Sequence, residues 1–167
     1  MINPRPKDVL ENLIATLDDK VLPRITETDL LSALTTSKHL IRYVLNQLVH
    51  EPASFAEELP RLTALLGQAR SFLADAGDAP EARAQVEAAL HDEDAPHHTH
   101  EALAARIQQL REGLHAALGQ LIDSRHTYQA NPAYSPLRAA IRDYLAWQNI
   151  QEAKIIAPTY YGQGARR

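Results

Sequence analysis

Thr26-Glu27-Thr28-Asp29-Leu30-Leu31-Ser32-Ala33-Leu34-Thr35-Thr36-Ser37-Lys38-His39-Leu40-Ile41-Arg42-Tyr43-Val44-Leu45-Asn46-Gln47-Leu48-Val49-His50 is the stretch that decides the fold. Leu30, Leu34, Ser37, Ile41, Val44 and Leu48 follow one another at alternating intervals of four and three. That is the period of a helix with one stripe buried against other helices. Leu31 and Leu45 widen the stripe on one side and Leu40 on the other. Thr26 and Asp29 resemble a capping box with Asp in place of Glu. Glu51-Pro52 predicts the end of the helix, because a residue before proline is pushed out of the helical region.

The same spacing recurs on both sides. Leu10, Ile14, Leu17 and Val21 mark a first helix, with Val9 and Leu13 alongside and Pro23 as its stop. Ser54 with Glu57 predicts the cap of a further helix carrying Phe55, Leu59, Leu62, Leu66, Ala69 and Leu73. Pro60 marks a kink or a first helical position there, and Gly77 the stop. A shorter helix follows Pro80, with Ala82, Val86 and Leu90 inward. Thr99 caps another, with Leu103, Ile107, Leu110, Leu114, Ala117 and Leu121 inward and Leu118 and Ile122 extending the stripe. After a polar connection, Ser135-Pro136 opens a last helix with Leu137, Ile141, Tyr144 and Leu145 inward and Trp147 near the edge. The pattern predicts an all-α fold, an antiparallel bundle of five to six helices. It occupies residues 1–157 as a single domain, and residues 158–167 form a tail.

Composition agrees. The chain has 167 residues, 45% hydrophobic and 23% charged, which is a globular balance. Aromatics are 5%, and a core of Ala and Leu suits interdigitating helices better than a sheet. A net charge of -4 argues against nucleic acid as a partner, since phosphate binding needs a concentrated basic face. The absence of cysteine excludes disulfides, thiolate metal sites and a cysteine nucleophile, and is compatible with the cytoplasm. Neither a signal peptide nor a stretch of the ~20 apolar residues that span a membrane is apparent.

No motif fixes a reaction, a ligand or a nucleotide site. The strongest candidate for chemistry is the segment His91-Asp92-Glu93-Asp94-Ala95-Pro96-His97-His98-Thr99-His100. His91, His97, His98 and His100, with the three acids, offer donors for a divalent metal such as Zn²⁺ or Ni²⁺, the one cofactor the sequence suggests. The competing reading is a solvated loop that is rich in histidine, and a third is a pH-sensitive loop. His50-Glu51 and His100-Glu101 begin like zincin helices, but Ser54 and Ala104 stand where the second histidine is needed. Glu112 and His115 supply one Glu-x-x-His element, where a di-iron bundle needs two.

A second candidate is a contact surface. His39, Tyr43, Asn46 and His50 recur at three and four along the expected outer face of the Thr26–His50 helix, with Lys38 and Arg42 nearby. The paired tyrosines Tyr160 and Tyr161 in the tail are a further candidate. An ordinary solvated face is the simpler reading of such residues. Ser37 stands where a leucine is expected, and a bond back to its own helix would satisfy its hydroxyl.

Arg5-Pro-Lys-Asp-Val-Leu-Glu-Asn-Leu, continuing to Asp19-Lys20-Val21-Leu22-Pro23, resembles the opening of a family of bacterial all-helical proteins. His39-Leu-Ile-Arg-Tyr-Val-Leu-Asn-Gln-Leu-Val-His-Glu51 is similar to that family's second helix. Its members tend to be encoded beside acyl-CoA dehydrogenases and phosphotransferase-like kinases. The resemblance covers about the first third of the chain and implies no catalytic residues. Taken together, the sequence leads us to expect a small accessory protein that acts by binding a protein partner or by self-association, a homodimer being one such assembly. A metal-dependent protein using His91–His100, or a small-molecule binder near Ser37 and Trp147, is the alternative.

Overall fold

The computed structural model describes residues 4–91 and 99–160. Every regular element among them is helical. The elements are α1 (Pro6–Thr16), α2 (Thr28–Ala76), α3 (Pro80–Leu90), α4 (His100–Asp123), α5 (Arg125–Tyr128) and α6 (Tyr134–Ile156). A π-helical turn (Leu17–Val21) and a 3-10 turn (Leu22–Arg24) follow α1, and a 3-10 turn (Ala157–Tyr160) follows α6. The all-α architecture is the one the hydrophobic period predicts. Contacts gather into two compact units, a central one of residues 53–148 and a terminal one of residues 1–52 with 149–167.

One boundary differs. The helix does not end at Pro52: α2 passes through both Pro52 and Pro60. An interior proline loses one N–H donor and crowds the preceding turn, a cost of about 3 kcal/mol. Beyond those prolines α2 buries Leu62, Leu65, Leu66, Ala69, Phe72 and Leu73. Each large aliphatic contributes about 1.5–3 kcal/mol, which outweighs the penalty. Ser54 is therefore mid-helix and forms no capping box with Glu57. At the other end α2 begins at Thr28, one residue later than the Thr26 cap would place it.

In the central unit, ring contacts fix the helix directions. Phe55 stacks on His100 at 5.5 Å, while Phe72, further along α2, meets Tyr128 edge-on at 5.1 Å. That part of α2 and α4 therefore run the same way. Arg61 lies 5.0 Å over Trp147, and Phe72 lies 6.2 Å from Tyr134, so α6 runs opposite to α2. Gly77, with φ 74°, turns the chain out of α2 in the left-handed conformation that glycine adopts freely. α3 then returns antiparallel to α4: Asp78 accepts from the Tyr128 hydroxyl at 2.6 Å, while Ala89 accepts from Arg106 Nη1. In chain order α2, α3, α4 and α6 thus alternate in direction, as in an antiparallel bundle.

The core is all in this unit. Leu62, Leu66, Val86, Ile107, Leu110, Leu121 and Ile141 are fully buried at its centre. The predicted stripe of α4 is buried from Ile107 to Leu121, and Thr99 caps it, its hydroxyl accepting from the Ala102 N–H at 3.1 Å. Ile122, expected to extend that stripe, is 56% exposed, and Leu145 of α6 is also exposed.

Candidate functional site

The terminal unit is built the other way round from the central one. None of its described hydrophobic side chains is buried; its buried residues are His39 and Thr159. The reason lies at the end of α6. The last carbonyls of a helix have no partner within it and need donors from elsewhere. His39 Nδ1 donates to the Thr159 carbonyl at 2.7 Å. Asn46 Nδ2 donates to the Ile155 carbonyl at 3.0 Å and to Thr159 Oγ1 at 3.3 Å. The Thr159 hydroxyl itself donates to the Ile155 carbonyl at 3.0 Å. On the same side of α2, Asp18 accepts from Lys38 at 2.7 Å and from Arg42 at 3.2 Å.

This reverses the predicted orientation of α2. His39 and Asn46, placed by the sequence reading on an outer contact surface, face inward and hold the chain's own C-terminal turn. Tyr43 remains exposed, its hydroxyl accepting from Gln47 at 3.1 Å, and His50 is half-buried. The aliphatic stripe faces out instead. Leu30 is 44% exposed, Leu40 63%, Val44 44% and Leu48 48%, while Leu34, Ile41 and Leu45 are half-buried. Val9 and Leu13 of α1 and Ile150 and Ile156 of α6 are exposed as well. Among the described residues, the only large exposed hydrophobics outside this unit are Ile122 and Leu145. Ser37 is on the open stripe rather than in a core, and its hydroxyl donates back to the Ala33 carbonyl at 2.9 Å, the bond its sequence position suggested.

The remaining sequence candidates are scattered. His91 follows the end of α3 and His100 opens α4; both are exposed. His97, His98, Tyr161 and the Tyr160 side chain lie outside the described residues. Among the described residues no three histidines or acids stand close enough together to hold a metal ion. Trp147 is half-buried against Tyr144 and Arg61.

A polar cluster in the central unit escaped the sequence reading. Glu58 of α2 is 1% exposed. Its carboxylate accepts from Arg111 Nε at 2.8 Å and Nη2 at 2.9 Å, a bidentate pair, and from the Tyr144 hydroxyl at 2.6 Å. Burial, and then the bond to Glu58 and its charge, push the Tyr144 phenol well above the tyrosine range. For Arg111, burial works downward, but the bond to Glu58 and its charge more than compensate, and the guanidinium is held above its ordinary value. The signal was present: Phe55, Glu58, Leu62, Leu65, Ala69 and Phe72 also alternate by three and four. An acid on a core stripe demands a cation and donors. The carboxylate is fully engaged, so the cluster ties α2, α4 and α6 together.

No protein family, curated protein or solved structure matches the chain.

Proposed function

We propose that the chain works by binding, as a protein-interaction module whose contact surface is the open aliphatic face of α2 in the terminal unit. One observation carries this reading: the buried hydrophobics of the described chain all belong to the central unit, while nearly all the large exposed ones belong to the terminal unit. A folded domain rarely leaves contiguous apolar surface of this kind in water unless something covers it. Helices this amphipathic draw most of their stability from burying that face. The polar side of α2 is occupied by the Ala157–Tyr160 turn and the end of α6 through His39 and Asn46. Among the described residues no helix is long and apolar enough to cross a membrane.

The test is photo-crosslinking in living cells from a photoreactive residue placed at Leu40, with Arg24 as the control position. Protein adducts should form from position 40 and be weak or absent from position 24. Equal yields at the two positions, or none from either, would defeat the reading.

A further inference from the structure

Resting on that reading, we infer that the partner covering α2 is a second copy of this chain, paired antiparallel about a two-fold axis between Lys38 and His39. The exposed residues Leu30, Ala33, Ser37, Leu40 and Val44 alternate by three and four, the repeat of a helix seam that closes on another helix. Leu48 lies beside its end and is also exposed. The seam is rotated from the predicted one: Ala33 and Leu40 replace the half-buried Leu34 and Ile41.

Its residues complement one another only in the antiparallel arrangement. That register places Leu40 of each copy over Ser37 of the other and Val44 over Ala33, a large side chain against a small one each time. The stem of Gln47 meets Leu30. A parallel pair would set Ala33 on Ala33 and Ser37 on Ser37, leaving gaps, and Leu40 on Leu40. Close packing disfavours that alternation of voids and crowding. No charged side chain lies on the seam, so a like copy meets no repulsion there. The one hydroxyl, on Ser37, already donates within its own helix and enters the interface satisfied.

The size fits a weak pair. Leu30 to Leu48 spans roughly 27 Å of helix about 10 Å wide, a strip of roughly 270 Å² in projection on each copy. Closing it removes an area at or below the roughly 1,000 Å² floor of a stable specific pair and well below that of an obligate one. The expected assembly is therefore a reversible dimer whose population follows concentration.

Sedimentation equilibrium on the full chain should show a mass approaching twice 18.6 kDa as concentration rises through the micromolar range. Leu40→Glu enters the interface twice because of the two-fold axis, and should weaken dimerisation by roughly 100-fold or more. Ala33→Leu is the second probe. It keeps a good helix former at an exposed position, so folding is preserved, but it fills the space that Val44 needs and should also weaken the pair. Because the chain contains no cysteine, a disulfide reports only the residues introduced. Oxidising a mixture of the Ser37→Cys and Leu40→Cys variants should link the two, while each variant alone links far less. A wild-type chain that stays monomeric throughout removes the second copy, and the in-cell adducts at position 40 then judge the broader reading separately. A dimer indifferent to both Leu40→Glu and Ala33→Leu, or efficient self-linking by Ser37→Cys alone, also overturns the proposal.

Discussion

Replacing Arg111 by Met should destabilise the central unit far more than its one-third exposure suggests. The guanidinium makes two charge-assisted bonds to Glu58, which is 1% exposed. Removing it leaves a carboxylate with only the Tyr144 hydroxyl for company. Breaking a buried pair from one side costs about 3–5 kcal/mol, chiefly because the remaining charge stays out of water. Replacing both partners, as Glu58→Leu with Arg111→Met, removes the stranded charge and should recover most of the loss, leaving mainly the unpaired Tyr144 hydroxyl at about 1–3 kcal/mol. Urea unfolding of wild type, both single variants and the double variant, at matched protein concentration, measures each term. A loss under about 1 kcal/mol for Arg111→Met at pH 7.5, or a double variant no more stable than Arg111→Met, would refute the assignment of Glu58 as a buried ion held by Arg111.

The α3–α4 contact yields a paired prediction. A Cβ at Gly113 would fall 2.7 Å from the Ala89 Cβ, so Gly113→Ala should cost about 1–3 kcal/mol, whereas Gly119→Ala meets nothing within 4 Å and should gain about 0.5–1 kcal/mol in urea unfolding. Arg106 is 3% exposed with Nη2 unbonded, its Nη1 donating to the Ala89 carbonyl and, at 3.5 Å, to Gln109 Oε1, with no carboxylate among these partners, so Arg106→Met should leave stability within about 1 kcal/mol or raise it; a loss above about 3 kcal/mol contradicts this. The Tyr144 phenol keeps its proton more tightly folded than unfolded, which adds stability fully present below the ordinary tyrosine range near pH ~10 and lost as pH rises through the elevated folded value. An alkaline titration of stability should therefore fall less steeply in Tyr144→Phe than in wild type, with a residual slope from Tyr128, whose phenol burial and Asp78 also raise.

The central unit was largely legible, because its helices bury the faces their period marks. Val86, Ile107, Leu110 and Ile141 stand in the core at the predicted spacing, and Gly77 and Thr99 bound helices where their chemistry said they would. The prolines misled because a local backbone bias was weighed without the burial of Leu62 to Leu73 downstream of it. Glu58 was hidden because Glu57 beside it completed an attractive capping pattern, and its partners Arg111 and Tyr144 are far away in sequence. Nothing local announces a cluster assembled by tertiary structure.

The terminal unit failed differently, and the failure is informative. A three-four spacing of aliphatics reports that a helix face is to be covered, but not by what. In α4 the cover is the rest of the same chain. In α2 the intramolecular contacts were taken by His39 and Asn46, because Ile155 and Thr159 present carbonyls that only donors can satisfy, and an aliphatic face cannot supply them. Once those bonds orient the helix, Leu30, Leu40 and Val44 must point elsewhere. Under the proposed pairing, the stripe that the polar clasp turns outward finds its complement in a second copy, because the small-large order of Ala33, Ser37, Leu40 and Val44 matches its own reverse.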